Sequence, residues 1–252
     1  MTNRLVFTVD VDRDANIHID GQSAAGSKDR GHGVAPRFGS SEKGLSLIMD
    51  MLDGLGIKGT FFVEGRTAET VDCSCLADQC IGFHGYDHED LTAIDDLPEV
   101  MDRAYSAVRD NVARPVCFRA PFMQTDDRVY DELVRLGIGH DSSVYGVPGQ
   151  HIFDVRSVTV HPVAKGRDRN GKTIAAYLWP MHEGKRCPQD YIELASSISD
   201  GELLISTHSW HMVESIENGL LTEGEVRTNI FNVESVITGI IDKGFTPSIL
   251  VV

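Results

Sequence analysis

No stretch of this 252-residue chain stays apolar for the ~20 residues that a membrane-spanning helix needs. Basic charge is scarce as well. Seven lysines and sixteen arginines stand against 38 acidic residues, a formal net charge of −15. A field of that sign repels phosphate backbones, so neither nucleic acid nor a membrane surface is an expected partner. Cysteine is sparse and odd in number: Cys73, Cys75, Cys80, Cys117 and Cys187. A chain this long does not need a disulfide frame, so the thiols are expected to be reduced and the compartment cytoplasmic. The spacing of Cys73, Cys75 and Cys80 matches no common zinc pattern. Internal repeats, linkers and low-complexity tails are missing too. The opening MTNRLVFTVDVDRD has one arginine, a short strand-like run and then acids, unlike a secretory leader.

What remains is an ordinary globular composition, 41% apolar and 24% charged, at a length that α/β barrels reach as one unit. One domain over residues 1–252 is the simplest reading. Strand-like runs alternate with helical ones. LVFTVDV (Leu5 to Val11) is rich in β-branched residues; a polar, Gly-rich loop is expected from Arg13 to Gly39. SEKGLSLIMDMLDGLG then places Leu45, Ile48, Met49 and Leu52 on one helical face, with Gly54 and Gly56 ending it. Further strands are expected in GTFFVEG, CIGFH, VCFRAPF and IGHDSSVYG, and later in TIAAYLWP, ELLISTHSW and FTPSILVV. Helices are expected from Asp95 to about Asn111, across TDDRVYDELVRLG with Thr125 as N-cap, and across GEVRTNIFNVESVITGIIDKG. This alternation predicts an α/β fold with a parallel sheet or barrel. The late helix is apolar enough for self-association.

Polar residues gather at the strand ends: Asp10, Asp12, His84, His88, Arg119, Asp141 and His208. In a parallel barrel those ends share one rim, where such barrels carry their chemistry. The pair His84 and His88, spaced by four, reads on its own as two solvated loop histidines or as two ligands on one helical turn. In TVDVD, the alternation puts Asp10 and Asp12 on the same side of a strand. Two close carboxylates are costly when buried unless a cation offsets them. Arg119, just before Pro121, needs a carboxylate if buried, and Asp10 is the natural one. His208 at a strand end has the pKa range of a proton donor. Trp210 and His211 follow it, and either shape a substrate pocket or simply pack.

TVDVD, KGTFFVEG, HGYDH, RAPF, DSS and STH, in that order, resemble the polysaccharide deacetylases, the carbohydrate esterases sharing the NodB homology domain. The resemblance runs from Leu5 to about Val252 and implies a distorted (β/α) barrel of about seven parallel strands. It implies that Asp12, His84 and His88 hold one divalent metal, zinc by preference, with cobalt, iron, nickel or manganese as alternatives. Asp10 would be the general base, Arg119 its ion-pair partner, His208 the general acid, and Asp141 the group that orients or tunes His208. The backbone N–H of Phe122 would stabilise the oxyanion. Val11 separates two aspartates that are adjacent in many members, which resembles an intracellular branch with alternating acids, and there the base and ligand labels can be exchanged. Phe122 stands where many members have tyrosine. The implied activity is N-deacetylation of a sugar or oligosaccharide. Allantoinase-like hydrolysis of a small ureide or amide shares this barrel, and a barrel that binds carbohydrate without turnover is the remaining reading.

Overall fold

A computed structural model of the chain describes residues 3–14 and 36–251. Most of the loop expected between Arg13 and Gly39 lies outside the described residues, and Gly39 itself opens a helix.

The first half alternates as its sequence predicts: β1 (Arg4–Val11), α1 (Gly39–Leu55), β2 (Thr60–Val63), α2 (Gly65–Thr70), β3 (Cys80–Phe83), α3 (Leu97–Asn111), β4 (Cys117–Phe118), α4 (Asp127–Leu136) and β5 (His140–Asp141). The middle is a run of short strands: β6 (Tyr145–Gly146), β7 (Phe153–Val155), β8 (Val158–Val160), β9 (Val163–Arg167) and β10 (Thr173–Ala175). Then come α5 (Trp179–His182), α6 (Pro188–Ser196), β11 (Glu202–His208), β12 (Glu214–Ser215), β13 (Gly219–Leu220), α7 (Glu223–Ile241) and β14 (Thr246–Ser248).

The main sheet runs β11-β1-β2-β3-β4-β5-β8-β7, with β14 added to β1. Every pairing is parallel except β7 with β8, so seven parallel strands run from β11 to β8. The sheet curls into a half-barrel. Strands β1 and β2 are buried on both faces, which is why they read as continuous apolar runs rather than alternating ones. In α1, Leu45, Ile48, Met49 and Leu52 all face the core, as their spacing requires.

Several local expectations change. Gly56, at φ 66°, ends α1 in the left-handed conformation that glycine adopts without a Cβ penalty, whereas Gly54 lies inside the helix. The N-cap of α4 is Asp126, whose carboxylate accepts from the N–H groups of Arg128 and Val129; Thr125 is one residue too early. TIAAYLWP is not one buried strand. Thr173–Ala175 pairs antiparallel to β9, Tyr177 makes a single parallel bridge to Ser206 of β11, and Trp179 already starts α5. The N-terminus of α1 is capped from outside its own segment: Asp14 accepts from the N–H of Ser40 at 3.1 Å and of Ser41 at 2.7 Å.

Candidate active site

Thr8 and Asp10 project from one side of β1, and Arg119 at the end of β4 meets both. Its Nη1 donates to Asp10 Oδ1 at 2.9 Å and to Thr8 Oγ1 at 3.0 Å. Nε and Nη2 donate to the carbonyl and hydroxyl of Ser142, each at 2.9 Å, and the guanidinium lies 4.3 Å from the Phe62 ring. A fully buried arginine is tolerable on these terms, paired and bonded all round.

His84 follows β3. Its ring Nδ1 stands 2.8 Å from the Arg119 carbonyl, which only accepts, so Nδ1 donates there and the tautomer of the neutral ring is the one with its lone pair on Nε2. The chain then turns through Gly85, at φ 66°, and His88 adopts φ 55°. The four-residue spacing therefore meets through a bend and not on a helical turn. Its Nε2 comes within 3.3 Å of Asp12 Oδ2. One ligand atom each from Asp12, His84 and His88 lies within 4.8 Å of the others, and all three residues are buried. Two donors held ~2.1 Å from one ion at a tetrahedral angle stand about 3.4 Å apart, which the Asp12–His88 spacing matches, so the set can hold one metal ion. The other acids of this segment are committed elsewhere: Asp87 pairs with Arg13 and Arg66, while Glu89 accepts from the N–H groups of Tyr86 and Asp87. Behind Asp12, Arg13 is tied to Glu64, whose carboxyl burial pushes up to about 7 against the opposing pull of Arg13.

His208 ends β11 directly beside Asp10 in register, with Nε2 3.9 Å from Asp10 Oδ2. Asp141 is engaged elsewhere. The Asp141 carboxylate accepts from Tyr130 Oη at 3.1 Å and from Ser143 Oγ at 2.5 Å, and burial raises its pKa. Ser143 in turn accepts from the Ala120 N–H, and neighbouring Ser142 holds Arg119, so the DSS segment braces the arginine turn instead.

A cavity of about 500 Å³ opens over these groups, lined by Asp10, His84, His88 and His208 and walled by Phe122, Tyr145, Tyr177 and Trp179. Phe122 lies edge-on to His88 with ring centroids 4.6 Å apart, and its backbone sits at φ 58°, followed by Met123 at φ 56°. Strained backbone of this kind concentrates at functional sites. Trp210 is not a wall. It is fully buried, stacked on His211 and packed behind Trp179, because the turn after β11 folds inward. Trp179 takes the wall position. Cys73, Cys75 and Cys80 form no metal-capable group among the described residues.

No family model matches the chain. A curated peptidoglycan deacetylase-like protein of Gibberella zeae, FGM2, is 32% identical over 116 residues, 42% of this chain and 34% of that protein. The chain thus matches about a third of that relative's length. Among solved structures, a candidate polysaccharide deacetylase from Mycobacterium smegmatis superposes with a TM-score of 0.61 at 20% identity, covering 100% of this chain and 94% of that one. A family 4 carbohydrate esterase from Streptomyces lividans, solved with acetate, gives 0.57 at 14% identity over 98% and 92%. The chain has the polysaccharide deacetylase fold. That fold also houses proteins without activity: a family 4 pseudoenzyme from Bacillus anthracis matches at 0.57, 11% identity, over 98% and 63%.

Within the deacetylase fold, two site residues escaped sequence reading. Tyr177 donates its hydroxyl to Asp10 Oδ2, and Trp179 stands edge-on to His208 with centroids 5.8 Å apart. Both lie in TIAAYLWP, whose apolar pattern says core. No spacing signal marks them.

Proposed function

We propose that this protein is a metal-dependent hydrolase of a linear amide C–N bond, acting on the N-acetyl group of a sugar or short oligosaccharide. The convergence of Asp12, His84 and His88 beside the Arg119-paired Asp10 carries this reading. A divalent ion in that site, zinc by preference, would supply a Lewis acid for the carbonyl oxygen and lower the pKa of water. Asp10 takes the proton from the attacking water, and Arg119 pairs with it and keeps it aimed. His208, on the neighbouring strand, delivers a proton to the departing nitrogen, without which an amine leaves poorly. The Phe122 N–H assists the developing oxyanion.

The cavity supports a saccharide over a small ureide. Its volume of about 500 Å³ exceeds what a ureide fills, and its aromatic walls suit the apolar faces of a sugar ring. Five free cysteines support a reducing, cytoplasmic setting, and so a precursor or short oligosaccharide over an external polymer. Complete retention of Asp10, Arg119 and His208 favours an enzyme over a decayed binding barrel.

The test is metal analysis together with acetate release from N-acetylglucosamine oligomers, and ammonia or urea release from small ureides, by wild type and His84→Ala. Metal and acetate release in the wild type, both lost in the variant, support the proposal. Equal acetate release by the two proteins sinks it.

A further inference from the structure

The proposed base and acid sit close enough to engage each other. Asp10 Oδ2 and His208 Nε2 are 3.9 Å apart on adjacent strands, one small rotation short of a direct hydrogen bond. A direct hydrogen bond between them would occupy the oxygen that must take the water's proton and the nitrogen that must serve the leaving group. Tyr177 engages the oxygen that this contact would use. Its hydroxyl donates to the same Oδ2, and its ring lies beside the His208 ring, with centroids 5.3 Å apart and planes inclined at 37°.

The tyrosine is not free to yield. Its backbone is stitched to β11: Ser206 N–H donates to the Ala176 carbonyl at 2.9 Å, and Leu178 N–H to the Ser206 carbonyl at 2.7 Å. Tyr191 Oη donates to the Tyr177 carbonyl at 3.0 Å. With Arg119 on Oδ1 and Tyr177 on Oδ2, the carboxylate has a donor on each oxygen and cannot rotate towards His208. A carboxylate has about four acceptor positions, so two donors still leave it able to take a proton from water.

We propose that Tyr177 is a positioning residue that fixes the Asp10 carboxylate and keeps it apart from His208. This rests on the hydrolase reading above. Tyr177→Phe removes the hydroxyl and keeps the wall of the cavity. In the metal-loaded enzyme, with N-acetylglucosamine oligomers, kcat should fall on the order of 10- to 100-fold, less than the ~10²–10⁴-fold that an acid–base group itself contributes, while KM stays within about two-fold and metal content is unchanged. Tyr177→Gln, which returns an N–H donor without the ring, should recover part of kcat and raise KM; it also serves if the phenylalanine variant does not fold. A wild-type kcat in Tyr177→Phe, or a rise in KM alone, makes Tyr177 only a wall and overturns the proposal. A wild type that releases no acetate overturns the hydrolase reading and this one with it, an outcome distinct from an active wild type matched by its variant.

Discussion

Nη1 of Arg119 lies 2.9 Å from Oδ1 of Asp10, across 109 residues of sequence, with both side chains closed off from solvent. Neither residue would be stable there alone. Arg119→Met should therefore do more than slow a reaction. It leaves a buried carboxylate without its partner, a change that costs about 3–5 kcal/mol. In a chain of this size that lowers the melting temperature by roughly 10 °C. Thermal melts of purified variant and wild type check it; a loss of only a degree or two would show that Asp10 is satisfied without the arginine.

Ligand and base should separate by substitution. Asp12→Ala removes one of the three converging donors and should lower metal content to near zero, with a melting temperature that no longer responds to added zinc. Asp10→Asn keeps the donors and should retain metal while losing at least ~100-fold in kcat. Metal analysis and turnover on the two variants decide the assignment. Metal lost in Asp10→Asn and kept in Asp12→Asn reverses it.

Gly44 of α1 bears directly on the turn after His208. A Cβ built there would stand 1.9 Å from the Ser209 carbonyl oxygen, and Ser209 N–H is bonded to the Asp10 carbonyl at 3.0 Å. A backbone oxygen cannot step aside as a side-chain tip can. Gly44→Ala should push α1 off this turn, at a cost of about 1–3 kcal/mol, and reduce turnover through His208. A melt combined with acetate release reads both; a variant unchanged in each would mean that the helix shifts freely.

Behind the cavity, His211 donates from Nε2 to Glu183 Oε1 at 2.8 Å, and Glu183 also accepts from Ser215 Oγ and the Ile216 N–H. Burial opposes the charge, but these donors win and hold the carboxyl down at about 2, below its ordinary 4.5. A depressed pKa contributes stability above the unfolded value, and that stability is lost as pH falls from about 4.5 through about 2. Glu183→Gln should be less stable than wild type by about 2 kcal/mol at pH 6, the size of a hydrogen bond to a charged group. The gap should narrow at pH 2.5. Denaturant titrations at both pH values measure it, and a gap independent of pH would remove the carboxylate from the explanation.

By itself, the sequence determined the alternation of strands and helices, the buried face of α1, and the choice of a parallel sheet or barrel that follows from them. Each rests on a local period or a local cap, which neighbouring residues carry among themselves. It also marked the strand-end residues Asp10, Asp12, His84, His88, Arg119 and His208, because a parallel sheet sends all such ends to one rim. Only tertiary structure decided their partners. Asp141 is bonded to Tyr130 and Ser143, next to the Ser142 that holds Arg119. Trp210 packs inward and yields the wall to Trp179, and Tyr177 reaches Asp10 from a segment whose pattern says only core. Periodicity reports which face of an element is buried. Which distant group meets that face depends on how the sheet curls and how the crossings between strands are stitched down, and no short window of sequence holds that information.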